Sequence, residues 1–327
     1  MGWSRAAGLA GFALALLAAG HCAAAEAQPW PSHPIRFVVA APPGSSLDVM
    51  ARAIGEGLRE RLGQAVLVDN RPAAGGTIAA DAVAKSVPDG YTWLLGFNGP
   101  LAFAPYLYAK LPYDPLRDLT PVVLTAVQPN VLVVSRTLPV RNVAELIAYA
   151  RAHPGKLNYA SVGNGSSSHL TMELLKSTAG IDLLHVPYNG APSAVLAVAA
   201  GDPQMLFAVP IVVKPQIDAG KLVAIAVSTA KRFSKMADVP TLAESGFPDF
   251  ESLAWNGIML PAGTPPAIVE RLNHEVNAVL GSPALRARLV AADLEPAGGS
   301  VAAFASWIRS EGAKWAPVIR RTGATVD

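Results

Sequence analysis

Apolar and polar positions change rhythm several times along this chain. Ile35-Arg36-Phe37-Val38-Val39 is a short, β-branched apolar run and reads as a strand. After the turn "AAPPGSS" the period lengthens, and Leu47, Met50, Ala51, Ile54, Leu58 and Leu62 fall on one stripe of a helix. Val66-Leu67-Val68 predicts a second strand, and "DNRPAAGGTIAADAVAKS" sets Gly75-Gly76 before another helix. Tyr91 to Phe97 gives a third strand, which ends in the turn Asn98-Gly99-Pro100. Strands alternating with helices predict an α/β fold with a mainly parallel sheet covered by helices on both faces.

The run "DLTPVVLTAVQPNVLVVSR" is long and β-branched, broken at Pro129, and long enough to carry the chain from one lobe into a second. "VRNVAELIAYARAHPGK" predicts a helix ending at His153, before Pro154-Gly155. "LNYASVGNGSSSHLTMELLKSTAG" then repeats the opening theme of strand, Gly/Ser turn and helix. "MLFAVPIV" and "LVAIAVST" read as buried strands, and "FESLAWNGIMLPAGTPP" has the length to cross back. Helices over Pro266–Leu280 and Ser300–Arg321 would complete the first lobe. The expected organisation is a leader over 1–27, lobe one over 28–125 and 253–327, and lobe two over 126–252, with two crossing strands as the hinge.

The leader does not belong to that fold. Met1–Arg5 carries one positive charge, Leu9–Ala19 is an unbroken small-apolar run, and Ala25-Glu26-Ala27 offers a cleavage site, so a secretory signal peptide is expected. Cys22 raises the alternative of a lipid anchor, but His21 stands before it where such signals want a small residue. Removing Arg5 and Glu26 from 26 basic and 24 acidic side chains leaves the net charge at +2 and, with Cys22 gone, no cysteine. Near-neutral charge without basic runs argues against nucleic acid and anionic membrane as partners. The 51% apolar content argues against disorder.

Candidate chemistry concentrates in the turns. A helix N-terminus presents backbone N–H groups without intrahelical partners, at the positive end of the peptide dipoles. Small residues let an anion approach them. Gly44-Ser45-Ser46, with Ser45 and Asp48 spaced as a capping box, meets that need. Gly163-Asn164-Gly165-Ser166-Ser167-Ser168 meets it again, and Gly75-Gly76-Thr77 is a third candidate. Taken singly, each turn is what any helix needs as a cap. Taken together, and facing one another from two lobes, they would hold the ends of a small dianion. Each hydrogen bond to a charged group is worth about 1.5–3 kcal/mol, and micromolar affinity needs about 8 kcal/mol net. Neutral donors therefore suffice, and none of the three turns contains arginine.

Enzymatic readings find less support. No Gly-Lys-Ser/Thr follows the turns, the third glycine of a dinucleotide fingerprint is missing, and no G-x-S-x-G elbow occurs. Ser168 and His169 are adjacent, so on a helix they point apart. His33, His153, His169, His185 and His274 form no zinc spacing. His185 is expected as an ordinary polar residue at a strand end, and Tyr188 and Trp255 as core aromatics. No metal and no cofactor are expected.

A set of motifs carries a stronger signal. "HPIRFVVAAPPGSSLDVMAR", "DNRPAAGGTIAADAVAKSVPDGYT", "LPYDPLRDLTPV", "ELIAYARAHPGKLNYASVGNGSSSHL", "HVPYNGAPSAV", "AGKLVAIAVSTAKR", "DVPTLAESGFPDFE" and "PAGTPPAIVERLN" run in order from His33 towards the C-terminus. As a set they resemble the Bug family, the periplasmic substrate receptors of tripartite tricarboxylate transporters. The resemblance implies a two-lobed type II periplasmic-binding-protein fold that closes on a small organic acid. Aliphatic di- and tricarboxylates, acidic amino acids and aromatic carboxylates are the classes it brings with it. By motif it implies that Pro43, Gly44, Ser45, Ser46, Gly75 and Gly76 line the cleft from lobe one, and Asn164, Gly165, Ser166, Ser167 and Ser168 from lobe two. It also singles out Ala208, since many members carry "MFD" where this chain reads Leu206-Phe207-Ala208. Losing that aspartate disfavours a ligand with an ammonium group. The implied role is a non-enzymatic, monomeric periplasmic receptor that passes a carboxylate to membrane permease subunits. A ligand sensor for a membrane signalling protein and a secreted α/β hydrolase are the alternatives.

Overall fold

The computed structural model describes residues 30–291 and 293–326. The expectations for the leader, Cys22 included, lie outside the described residues. In chain order, β1 (Ile35–Val39) leads into α1 (Ser46–Leu62), followed by β2 (Val66–Asn70), α2 (Thr77–Ala84) and β3 (Thr92–Phe97). A π-helical turn (Gly99–Phe103) runs into α3 (Ala104–Leu107), and β4 (Leu119–Pro129) is followed by β5 (Val131–Ser135). Next come α4 (Val143–Ala152), β6 (Asn158–Ser161), α5 (Ser167–Ala179), β7 (Leu184–Pro187), α6 (Ala191–Ala200) and β8 (Met205–Ala208). The chain ends with α7 (Pro210–Asp218), β9 (Leu222–Val227), β10 (Leu253–Pro261), α8 (Pro266–Gly281), α9 (Pro283–Ala291) and α10 (Val301–Thr322).

These elements form two five-stranded sheets with the same layout, β2-β1-β3-β10-β4 and β7-β6-β8-β5-β9. The βαβ units supply parallel pairs in each sheet, β1 with β2 and β3, and β6 with β7 and β8. Antiparallel pairs complete each sheet, β10 with β3 and β4, and β5 with β8 and β9. Both sheets are therefore mixed. The parallel half is the part that local strand–helix alternation announces, because a parallel neighbour requires a crossover helix.

Strand alternation divides the buried side chains between two cores per sheet. Ile35, Phe37 and Val39 face one core with Met50, Ile54 and Leu58 of α1, while Val38 and Ala40 face the other with Leu94, Phe103 and Trp255. β5 behaves likewise: Leu132 and Val134 go to one side, and Val131 and Val133 to the other. A strand buried on both faces is apolar throughout, so no alternation marks where it begins. For that reason the run over 119–135 reads as one stretch in the sequence. The structure splits it between sheets at Asn130.

The two crossings are tied to each other. The Ser228 hydroxyl accepts from the Asn130 N–H at 2.9 Å and donates to the Ser252 carbonyl. The Ser228 N–H donates to the Asn130 carbonyl and the Ser252 N–H to the Ser228 carbonyl, each at 2.9 Å. The Thr171 and Ser252 hydroxyls also bond. A small buried polar knot thus replaces apolar packing where the chain passes between lobes.

Candidate functional site

A cavity of about 680 Å³ lies between the two sheets, under the turns that follow β1 and β6. In an α/β sheet this is the region beyond the carboxyl ends of the parallel strands, where ligands bind. The first turn is built by α1's own cap. Ser45 Oγ accepts from the Asp48 N–H at 3.3 Å, and the Asp48 carboxylate reaches back to the Gly44 N–H at 3.0 Å. This is a capping box displaced by one residue, because the Ser45 N–H is already bonded to the Pro42 carbonyl. Burial pushes the Asp48 carboxyl up, but hydrogen bonds from Arg52 and Gly44 outweigh it and hold it below the usual carboxylate range. Arg52 is engaged there, 2.9 Å from Asp48 Oδ1, and does not line the cavity. The Ser46 and Leu47 N–H groups and the Ser46 hydroxyl have no protein partner among the described residues, and both residues line the cavity.

The second turn copies the first with different chemistry. Ser166 Oγ caps α5 by accepting from the His169 N–H, and donates to the Gly163 carbonyl at 2.7 Å. His169 Nδ1 takes the place of the Asp48 carboxylate and accepts from the Gly165 N–H at 3.1 Å. Ser167 Oγ donates to Asn130 Oδ1, and Ser168 Oγ to the Phe207 carbonyl. The hydroxyls of the second turn are thus committed within the protein. The N–H groups of Ser167 and Ser168 have no protein partner among the described residues.

Of the residues expected from sequence, Ser45, Ser46, Gly75, Gly76, Asn164, Ser166, Ser167, Ser168 and Ala208 line the cavity. Pro43, Gly44 and Gly165 do not: Pro42 faces the cavity instead of Pro43, and the N–H groups of Gly44 and Gly165 serve Asp48 and His169. Gly75 and Gly76 have left-handed φ values of +61° and +88°. The Gly76 N–H is bonded to the Ala73 carbonyl, and a Cβ on Gly75 would collide with the Asn164 carbonyl oxygen. Gly75 thus lets the lobes touch, whereas a Cβ on Gly76 would meet Phe97, Pro100 and Ala40 of its own lobe.

The floor of the cavity was not legible as such. It is polar at Asn98, Gln128, Asn130 and Asn256, and aromatic at Phe97 and Trp255. The signal for Gln128 and Asn130 was a pair of amides inside an otherwise apolar run. Trp255 serves both core and cavity: its indole N–H donates to the buried Glu311 carboxylate at 2.9 Å. Among the described residues no aspartate or glutamate lines the cavity, and the one charged lining residue is Lys110, exposed at the rim.

Beneath the second turn the rings of His169, His185 and Tyr159 form a stack, with centroids 4.0 Å apart between the histidines and 4.8 Å between Tyr159 and His185. His185 Nε2 pairs with Ser161 Oγ at 2.7 Å. Burial, reinforced by Lys176, lowers His169 to about 4. Burial and the neighbouring His169 lower His185 to about 3. Both rings are therefore neutral at pH 7, and His169 keeps Nδ1 as an acceptor. The adjacent Ser168 and His169 face separate partners and form no hydroxyl–imidazole pair.

Comparison with known proteins follows this geometry. A family model described as the tripartite tricarboxylate transporter family receptor matches residues 50–324. A Pseudomonas sp. protein, described as a UPF0065 protein in the tcbD-tcbE intergenic region, is 40% identical over 312 residues, 95% of this chain and 92% of that one. Protein BugT of Bordetella pertussis is 37% identical over 321 residues, 97% of each chain. Among solved structures, R. palustris Rpa4515 with adipate is similar at a TM-score of 0.87 and 38% identity, over 90% of this chain and 98% of that one.

Proposed function

The chain belongs to the tripartite tricarboxylate transporter receptor family, and we propose on that premise that it captures a small organic carboxylate between its lobes in the periplasm and presents it to membrane permease subunits. The observation that carries this reading is the pair of facing helix N-termini. One from each lobe directs unengaged N–H groups, Ser46 and Leu47 against Ser167 and Ser168, into a cavity that no carboxylate side chain lines among the described residues. A carboxylate at each end is stabilised by these dipoles, and bridging both lobes favours the closed conformation. The lobes of this reading, expected to part between 125 and 126, part instead at Asn130, because β4 runs to Pro129 within the first sheet; the return is at 252/253 as expected. The guest leaves unchanged, the receptor acts as a monomer, and Ser168 attacks nothing.

Isothermal titration against adipate, succinate, malate and benzoate tests the reading. At least one is expected to bind with micromolar or tighter affinity, and failure of all of them would overturn it. Ser46→Leu combined with Ser167→Leu should abolish that binding while leaving the circular dichroism spectrum unchanged.

A further inference from the structure

The two turns are copies in backbone and opposites in charge. Ser45 and Ser166 cap their helices at φ/ψ of −76°/165° and −75°/164°, and the glycines before them stand at φ +78° and +72°. Each serine N–H donates to a carbonyl in its own turn, Pro42 at 3.3 Å and Gly163 at 3.2 Å. Each glycine N–H is answered from the start of the helix, by the Asp48 carboxylate at 3.0 Å and by His169 Nδ1 at 3.1 Å. Backbones this similar accept either anchor, so they do not dictate which one stands there. The residue one helical turn further on is exchanged as well. Arg52 pairs with Asp48, whereas the same place after His169 holds Glu173. Glu173 is already matched by Lys176 at 2.8 Å and by the Tyr159 hydroxyl of β6. The remaining titratable ring against His169 is His185 of β7, which is also neutral. Lobe one thus braces its turn with a carboxylate and a cation, and lobe two with a buried, uncharged ring.

Resting on the carboxylate reading above, we propose that His169 is a positioning residue that braces the second turn without adding negative charge, and so keeps the positive end of α5 open to an anionic guest. A carboxylate in its place would make the same hydrogen bond to the Gly165 N–H. It would also oppose the α5 dipole towards the guest, with no arginine at 173 to offset it. His169 does not line the cavity, whereas Ser166, Ser167 and Ser168 of its turn do. Charge beneath the turn, and not a contact with the guest, therefore carries the effect.

Wild type, His169→Asp and His169→Asn, each titrated calorimetrically with adipate, succinate, malate and benzoate at about pH 9, provide the test. At that pH a carboxyl at 169 is ionised. At least one acid that binds the wild type should bind His169→Asp about tenfold more weakly or worse. For the same acid His169→Asn, whose Oδ1 is an uncharged acceptor, should stay within about threefold of wild type. His169→Asp combined with Glu173→Arg rebuilds the lobe-one pair and should recover part of the loss. Equal losses in the Asp and Asn variants would mark a structural role alone and overturn the proposal, as would an Asp variant that binds every acid like wild type. A second measurement needs no variant to fold: nitrogen NMR of the wild-type His169 ring at pH 7 should show a neutral imidazole with its proton on Nε2. A proton on Nδ1, or a charged ring, would equally overturn the proposal. Failure of all four acids to bind the wild type would defeat the receptor reading itself, whereas the other adverse outcomes defeat only this inference.

Discussion

A methyl group on Gly190 would collide with the ring of Pro42, as one on Gly75 would with the Asn164 carbonyl oxygen, each time across the cleft. Gly190→Ala is expected to hold the lobes apart and to weaken the affinity for any bound carboxylate by roughly tenfold or more, because apparent affinity falls with the fraction of molecules able to close. Pro42→Ala in the same chain removes the ring atoms and should recover part of the loss in calorimetric titration. Gly155→Ala, also at positive φ (+70°) but with nothing within 4 Å, controls for backbone strain and should leave affinity unchanged. Lys110→Ala at the exposed rim should cost at most several-fold, and that loss should disappear in high salt. Ser45, Ser46 and Ser167 were legible in the sequence because caps are local devices spaced along one helix start. Gln128 and Lys110 were not, because only the docking of distant segments decides what a side chain faces.

At the scale of the element, α5 depends on the neutral state of His169. Its Nδ1 accepts from the Gly165 N–H, and protonation would turn that acceptor into a second donor. The ring titrates near its ordinary 6.5 in the unfolded chain and near 4 when folded, so below pH 6.5 the unfolded state binds protons that the native state refuses. Stability is therefore complete above pH 6.5, falls as pH drops through that window, and has lost His169's contribution below about 4, a difference of roughly 3 kcal/mol. Urea midpoints measured from pH 7.5 to 4 should fall accordingly, and His169→Gln should make the fall shallower, leaving the part that the likewise lowered His185 contributes. β1 and α1 could be read directly, since alternation, apolar stripe and cap all lie within thirty residues, about the span of one βα unit. The split of 119–135 into β4 and β5 could not, since both strands are buried on both faces. Nor could the antiparallel place of β10, whose partners β3 and β4 lie far back in the chain.

The whole molecule turns on two crossings held by Ser228, Ser252 and Asn130. Ser228→Ala leaves the Asn130 N–H and the Ser252 carbonyl, both buried, without that hydroxyl, and should cost roughly 1–3 kcal/mol of unfolding free energy in urea. Two-lobed organisation was readable because the strand–turn–helix theme of Phe37–Leu62 returns at Tyr159–Ala179. That the two copies face each other is a tertiary fact, expressed through glycines too small to show a pattern. One further consequence follows from the cavity wall, where anions meet oriented peptide dipoles and Arg52 is already engaged by Asp48. Dissolved electrolyte weakens attraction between exposed ions far more than contacts sealed inside a closed shell. Such a scavenger would harvest its cargo in brine nearly as well as in dilute medium, and titration across that range should show the affinity falling by no more than the several-fold that Lys110 at the rim supplies.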